Sequence, residues 1–296
     1  MNKKSTVGQS QMKPSPKSRP THLATVVDKR GLSPELLRVY LHCEVLQELH
    51  LPHSDHYIKL AFPPAEATYT WPFSVSEIRQ ELPREQWPLT RTYTVHSVNS
   101  HTGSFALDFV LHGDDSDNGG LASTWARNVE PGDTIAFLGP GGAWHPTDDY
   151  EHFILAGDET AAPAMMTAVE MLPATATADV YLEVASPQST FDFPTREGVN
   201  LHWITRGSSR PGSQLSDVLR SNGIPAQRTA WFVHGVAEMI KDVRRFLFID
   251  NDVAKSDVSI SGYWRLGMTE SEWQATKKSF NATLEAAEDN SRTEKV

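Results

Sequence analysis

The pattern of apolar segments changes once along this chain, near residue 145. From Phe153 to about residue 285, short apolar strands alternate with helical segments, which is typical of a parallel sheet covered by helices. Before residue 142, short runs rich in β-branched and aromatic residues are separated by closely spaced turns, which favours a small antiparallel barrel. The sequence therefore predicts a mixed fold, with an antiparallel β-barrel over residues 21–145 and a parallel-sheet α/β domain over residues 150–288.

Composition narrows the class of protein further. The net charge of −10 argues mildly against nucleic acid as a partner, and no stretch approaches the ~20 apolar residues of a membrane helix. Residues 1–20 are basic but lack the apolar centre of a secretory signal, so we expect a disordered tail, and likewise at residues 289–296. The single cysteine, Cys43, excludes an internal disulfide and suits a reducing compartment. We therefore expect a cytoplasmic protein without membrane insertion.

A short strand-forming run, Arg91-Thr92-Tyr93-Thr94, carries side chains suited to a dinucleotide cofactor. Alternation along a strand places Arg91 and Tyr93 on one face, and Thr92 and Thr94 on the other unless a bend intervenes. A guanidinium binds phosphate through a planar fork, a tyrosine ring offers a flat face, and a threonine hydroxyl bonds to a ring nitrogen. Taken alone, however, the run is more often an ordinary edge strand.

Two later turns also suit a ligand. Gly120–Ala126 opens a helix, and Ser123 or Thr124 is predicted to cap it. Helix N-termini attract phosphate, although an ordinary capped helix is equally compatible. Asp158 and Glu159 begin another helix after a strand of the parallel sheet, where ligands usually bind, but acids at this position also serve as simple caps. The turn lacks the Gly-x-Gly-x-x-Gly pattern of dinucleotide-binding folds.

Four stretches, taken together, resemble the siderophore-interacting proteins, a family of the ferredoxin-reductase-like flavoproteins. They occur in the family's order and are Arg91–Thr94, His112-Gly113 with Gly120–Ala126, Gly157–Ala164, and Ser261–Gly267. The resemblance implies FAD as the cofactor and no protein catalytic residue or metal site. It assigns the following residues to cofactor binding: Arg91, Thr92, Tyr93, Thr94, Val110, His112, Gly113, Ala122, Ser123, Thr124, Asp158, Thr160 and Ala161.

The resemblance also implies the partners. A ferric siderophore would be the substrate, with Lys59 and Arg265 as its contacts, and NADPH, NADH or reduced ferredoxin would be the electron donor. Each contact has a simpler explanation, because Lys59 could be an edge-strand charge and Arg265 a surface residue packed between aromatic side chains. Arg206 and Arg210 could meet a nucleotide 2′-phosphate, but loop arginines are common. We expect a monomer.

Three positions depart from the family pattern. Gly141 stands where the family commonly has an arginine that belongs to a basic patch for the ferric substrate. His96 stands where it usually has another arginine, and a histidine there is expected to titrate near neutral pH. Leu121 replaces a proline, which changes loop stiffness more than chemistry. The sequence predicts that the acidic loop over residues 114–118 is solvated and does not bind calcium.

The expected activity is ferric-siderophore reduction, with a nicotinamide passing a hydride to the flavin and single electrons passing on to Fe(III). Fe(II) binds hard oxygen ligands less strongly, so reduction would release the metal. Two alternatives stay open at this point. One is a general flavin or ferredoxin-linked oxidoreductase with another acceptor. The other is a carrier that binds a ferric siderophore without reducing it.

Overall fold

Six antiparallel strands close into a barrel in the first half of the chain. The computed structural model of the protein describes residues 20–111 and 120–294. The elements of this half are β1 (Thr21–Ser33), β2 (Leu36–His42), β3 (Tyr57–Phe62), α1 (Val75–Glu81), β4 (Leu89–Asn99), β5 (Ser104–Val110), α2 (Leu121–Asn128) and β6 (Thr134–Gly141). The strand order around the barrel is β1-β2-β5-β4-β3-β6, and the two helices lie between strands along the chain.

Alternating side chains fill the barrel interior. Along β5, Phe105, Leu107 and Phe109 are all buried in one apolar cluster, as the period of two in the sequence predicts. Val39 and Leu41 of β2 are buried in the same cluster. Burial of these large side chains is the main stabilising term of the domain, because each fully buried side chain contributes about 1.5–3 kcal/mol.

Half of β4 has an open edge. Residues Leu89–Thr94 pair with β3, whereas pairing with β5 begins only at Val95. Among the described residues, no strand covers the other side of the Leu89–Thr94 segment. Its backbone groups on that side are therefore available to a different partner.

The second half of the chain forms a five-stranded parallel sheet of order β11-β10-β7-β8-β9. β7 and β10, near its centre, are buried along their whole length, as expected for strands covered on both faces. This architecture confirms the predicted mixed fold. The elements are β7 (His152–Asp158), α3 (Ala162–Met171), β8 (Thr177–Val184), β9 (Val199–Thr205), α4 (Ser213–Asn222), β10 (Thr229–Val236), α5 (Ala237–Arg244), β11 (Val258–Trp264) and α6 (Glu270–Glu294).

The last helix is longer than the sequence predicts. The expectation of a disordered end is wrong for residues 289–294, because α6 continues to Glu294. Glu288 anchors it: the carboxylate is 2% exposed and binds Arg244 at 2.6 Å and Lys255 at 2.7 Å. Pairing of this kind holds the helix against α5 and its π-helical extension, Arg245–Asp250. Within the described ranges, no helix is long and apolar enough to cross a bilayer.

Candidate functional site

The open edge of β4 is contacted by the start of α6. The backbone N–H of Thr92 donates to Glu270 Oε1 at 3.0 Å, and Arg91 Nε lies 3.7 Å from Glu270 Oε2. Arg91 also donates to the Thr90 carbonyl at 3.1 Å. The Glu270 carboxylate therefore lies where the Arg91 guanidinium and the Thr92 backbone amide converge. Such a pair of donors is suited to binding an anion.

Lys59 joins the same group from β3. It lies opposite Thr92 in the strand pair and donates to Thr92 Oγ1 at 2.9 Å. Burial raises the pKa of Glu270, while the Thr92 hydrogen bond and the charges of Arg91 and Lys59 act in the opposite direction. The structure thus brings together three residues that the sequence assigned to binding.

The ring of Tyr93 packs on the end of the barrel core. Its centroid lies 4.3 Å from that of Phe109, and Phe109 lies 5.6 Å from Trp125 of α2. Burial raises the pKa of the Tyr93 phenol. Tyr93 is half-buried as a whole residue, and a tyrosine ring is a flat surface against which a ligand can pack. Val110, also predicted at the site, directly follows Phe109.

Helix α2 begins at the same end of the barrel. Gly120, with φ of 74°, precedes its first residue, and no side chain caps the helix within the described residues. The prediction that Ser123 or Thr124 caps it is wrong, because both lie inside the first turn, where Ser123 Oγ donates to the Gly120 carbonyl at 3.2 Å. Its first amides, including that of Ala122, precede the first intrahelical bond, from the Thr124 N–H to Gly120. This arrangement suits a phosphate.

His112 and Gly113 lie outside the described residues, as do the acidic loop and residues 1–19. Their assignments stay predictions.

A buried polar chain links the barrel to the parallel sheet. The Tyr263 hydroxyl lies 2.9 Å from His234 Nδ1. Burial raises the pKa of this phenol, and Thr94 of the barrel is a neighbour that lowers it against this larger effect. His234 Nε2 lies 3.0 Å from Ser259 Oγ. Burial, then the charge of Lys277, lowers the pKa of His234 to about 3, so the imidazole is neutral at physiological pH. Sequence reasoning missed Tyr263 and His234 as site residues, although both lie near the carboxyl ends of their strands.

Asp158 ties three strand ends together. Its Oδ2 accepts hydrogen bonds from the Val236 N–H and from Trp264 Nε1, both at 2.8 Å, and its Oδ1 accepts from the Thr160 N–H at 3.0 Å and from the Thr160 hydroxyl. The side chain is 1% exposed. The carboxylate therefore holds β7, β10 and β11 in register. The assignment of Asp158, Thr160 and the buried Ala161 to the cofactor site stays a prediction.

Glu159 and Glu183 enclose Arg206. The guanidinium lies 3.3 Å from each carboxylate, and Glu183 also accepts the Gly212 N–H at 2.8 Å. Arg210 is exposed and lies 3.1 Å from Asp242. Arg206 is thus committed to two carboxylates, which weakens the interpretation that it meets a 2′-phosphate.

Replacing Glu159 with glutamine is expected to change how stability depends on pH. Burial, and then the charge of Asp158, raises the pKa of Glu159 to about 6, so the folded state holds this proton more tightly than the unfolded chain. The stability from this group is complete below about pH 4.5 and is lost as pH rises through about 6, a loss of about 2 kcal/mol. Glu159→Gln should lack this loss, and urea unfolding at pH 4.5 and pH 7.5 measures it.

The exposed Glu197 supplies the control, because Glu197→Gln should follow the wild-type profile. Parallel profiles for wild type and Glu159→Gln would contradict the expectation.

Arg265 is placed beside α6. It lies 3.5 Å from Glu238, and its guanidinium carbon lies 5.1 Å from the centre of the Phe280 ring. These aromatic neighbours agree with the interpretation of Arg265 as a residue packed between aromatic side chains. Its contact with a substrate stays a prediction.

The departures from the family pattern have physical explanations. A Cβ at Gly141 would lie 2.6 Å from the ring of Tyr57, so no larger side chain fits there unless that ring moves. The expectation that His96 titrates near neutral pH is wrong, because burial lowers its pKa to about 4. Its carbonyl instead accepts a 2.7 Å bond from Thr167 of α3, which joins the two domains. Leu121 is 40% exposed.

These features fit FAD. An open strand edge carries a guanidinium and a backbone amide that now bind a carboxylate, an aromatic face lies next to them, and an uncapped helix begins at the same end of the barrel. The Thr92–Glu270 bond also places this edge beside the segment that follows β11, and nucleotides commonly bind near the carboxyl ends of parallel strands.

Comparison with known proteins agrees with this geometry. Residues 25–144 match the siderophore-interacting FAD-binding domain, and residues 150–267 match the siderophore-interacting protein domain. An uncharacterized protein of Mycobacterium tuberculosis is 33% identical over 277 residues, covering 88% of this chain and 95% of its own. Ferric vibriobactin reductase ViuB of Vibrio cholerae is 28% identical over 250 residues, covering 84% of this chain and 90% of its own.

Solved structures show the same architecture. The siderophore-interacting protein SipS of Aeromonas hydrophila is 27% identical, with a TM-score of 0.73 over 90% of this chain and 99% of its own. Ferredoxin-NADP+ reductase of Plasmodium falciparum shares the fold, with 15% identity and a TM-score of 0.62 over 82% of this chain and 96% of its own. The chain therefore belongs to the siderophore-interacting protein family and combines an FAD-binding barrel with a parallel-sheet domain in the ferredoxin-reductase-like fold.

Proposed function

We propose that this protein is an FAD-dependent ferric-siderophore reductase that releases Fe(II) from the iron complex. The observation that carries the proposal is the run of Arg91, Tyr93 and Thr94 along an open strand edge, whose Thr92 amide bonds to Glu270 just after β11 of the parallel sheet. The names of relatives such as ferric vibriobactin reductase support it.

Each residue of the edge has a distinct part in holding FAD. Arg91 would bind the pyrophosphate, exchanging its loose contact with Glu270 for a phosphate oxygen, and the first amides of α2 would contact the same group. Tyr93 would cover the ring system, and Thr94 would direct its hydroxyl to a ring nitrogen. The Thr92 hydroxyl accepts a hydrogen bond from Lys59 and so positions its ammonium. The Thr92 backbone amide now donates to the Glu270 carboxylate.

The buried His234 would hold Tyr263 in place beside Thr94. The His234 imidazole is neutral and lies between the hydroxyl groups of Ser259 and Tyr263. The expected result is a hydroxyl with a set orientation at the reacting end of the site.

The parallel sheet would admit the electron donor, which we propose to be NADPH, NADH or reduced ferredoxin. Bound FAD would supply the redox chemistry, accepting a hydride or electrons from the donor and passing single electrons to Fe(III). The protein contributes orientation and charge. Since Fe(II) binds the hard oxygen donors of a siderophore less strongly than Fe(III), reduction would release the metal.

Anaerobic visible spectroscopy tests the proposal. The purified protein, supplied with FAD, should show a flavin spectrum that bleaches when NADPH or NADH is added. Addition of a ferric siderophore should restore the spectrum while a ferrous-specific chelator reports Fe(II). Failure to bind FAD would refute the proposal.

Two other outcomes identify the alternatives. A flavin that bleaches but never reduces iron would indicate a flavin or ferredoxin-linked oxidoreductase with another acceptor. Binding of the ferric siderophore without any reducible flavin would indicate a carrier.

A further inference from the structure

Two histidine side chains meet where the segment between the two domains passes the barrel. His53 precedes β3 and His145 follows β6, and their Nδ1 atoms lie 3.2 Å apart. The ring centres are 5.3 Å apart, with an angle of 43° between the ring planes. The two residues are 92 positions apart in the chain, so no short spacing motif in the sequence predicts that they meet.

Hydrogen bonds hold the two backbone segments together. Asp55 Oδ1 accepts the N–H of Ala143 at 2.8 Å and that of Trp144 at 2.9 Å, the two residues directly before His145. In return, the Ser54 N–H donates to the Trp144 carbonyl at 2.9 Å. These bonds lie within two residues of each histidine. Both side chains therefore start from a fixed backbone, which lowers the cost of ordering them around a ligand.

A third histidine, His56, is already committed to hydrogen bonds. Its Nε2 accepts the His53 N–H at 3.0 Å, and its Nδ1 lies 3.0 Å from the Gly141 carbonyl, to which it donates. Burial lowers the pKa of His56, which agrees with a neutral ring that supports the His53 backbone. The described residues contain no group of three or more His, Cys, Asp or Glu that could hold a metal ion. Any metal site here therefore has two protein ligands.

The separation of the two Nδ1 atoms suits a shared cation. Imidazole nitrogens bind zinc at about 2.0–2.1 Å, and two such bonds at the tetrahedral angle span about 3.3–3.4 Å. His145 is exposed and His53 is half-buried, so an ion can reach the pair from solvent. His53 also borders an open cavity of about 580 Å³, which leaves room for water at the other coordination positions.

We propose that His53 and His145 form a two-histidine binding site for a divalent transition-metal ion, with water as the remaining ligands. Imidazole suits zinc, copper, nickel and iron, whereas magnesium prefers oxygen ligands, so the site should reject Mg(II). A bound ion would fasten the segment between the domains to the loop before β3. Fe(II), the product of the proposed reaction, belongs to this class of ions, but the inference does not depend on that reaction.

Isothermal titration calorimetry of the full-length, FAD-loaded protein tests the inference. Zinc chloride is the probe, because Zn(II) is redox-inert and exchanges no electrons with a flavin. Wild type should bind one Zn(II), and magnesium chloride should give no binding. His53→Gln and His145→Gln should each weaken Zn(II) binding by at least about tenfold, because the second imidazole no longer binds within the same molecule. The two losses should not add in the double variant, since either change breaks the chelate.

His202→Gln is the matched control. That exposed histidine lies 3.3 Å from Asp179 in the parallel-sheet domain, and its replacement should leave the Zn(II) affinity unchanged. Affinity in wild type should fall between pH 7.5 and pH 5.5, because protons compete with the metal for imidazole. Zn(II) should also raise the Tm of wild type but not that of His53→Gln, and the same melting curves check that every variant is folded.

Wild-type affinity in either His53→Gln or His145→Gln would overturn the inference. Loss of binding in His202→Gln would also overturn it, because the ion would then bind in the other domain. If wild type binds no Zn(II), the pair is only a hydrogen bond between two neutral rings, and the inference fails. None of these outcomes bears on the reductase proposal, since no siderophore or electron donor is present.

Discussion

Replacing Arg91 with alanine is expected to weaken FAD binding by about 40-fold, within a range of roughly 10 to 150. The guanidinium is part of the anion site at the open edge of β4, where it now lies 3.7 Å from the Glu270 carboxylate. A charge-assisted hydrogen bond to a phosphate is worth about 1.5–3 kcal/mol, and Arg91→Ala removes it. FAD fluorescence quenching on titration of the apoprotein gives the dissociation constants directly.

Two further variants sharpen this experiment. Arg91→Lys keeps the charge but loses the planar fork, so its FAD affinity should lie between that of wild type and Arg91→Ala. Arg84→Ala removes an exposed arginine of the preceding loop and should leave FAD affinity unchanged. An affinity for Arg91→Ala within about twofold of wild type would show that the pyrophosphate binds elsewhere.

Replacing Asp158 with asparagine is expected to lower the free energy of unfolding by about 2–4 kcal/mol. The carboxylate accepts hydrogen bonds from Val236, Trp264 and Thr160 with both of its oxygens while 1% exposed. Either orientation of an asparagine amide would point an NH2 group at buried donors. Urea denaturation measures the loss, and Asp148→Asn, an exposed change nearby in sequence, is the control.

The Asp158 prediction stays testable even if that variant does not fold. Trp264→Phe removes one donor to Oδ2 but leaves the Val236 bond, so it should cost about 1 kcal/mol. Where both single variants fold, the double variant should lose less than the sum of the two, because they share one interaction. Strict additivity would mean that the contact between Asp158 and Trp264 contributes little.

Gly235 explains why the carboxylate fits so closely. Its φ of 143° lies in the region that favours glycine, and a Cβ there would come within 2.6 Å of Asp158 Oδ2. The end of β10 can therefore pass directly over the carboxylate. The local sequence around Asp158 does not predict this arrangement, because Gly235 and Val236 lie far away along the chain.

The sequence by itself determined the two-part architecture. Period-two alternation in β5 and the succession of strands and helices after Phe153 are local properties, and local hydrophobic patterning is enough to predict elements and their class. It also predicted the strand that contains Arg91 to Thr94, and β4 confirms that strand. The limits of α6 were predicted less well, since the Glu288 anchor depends on α5.

Only the tertiary structure decided which residues meet at the site. Thr92 and Glu270 are 178 positions apart, and their bond exists because α6 returns to the open edge of β4. The packing of α6 also brings Lys277 to Ser261 of β11, at 3.0 Å, while Arg265 lies 3.5 Å from Glu238. The physical reason is that a contact across a cleft depends on where whole elements pack, and sequence patterns report only which face of each element is apolar.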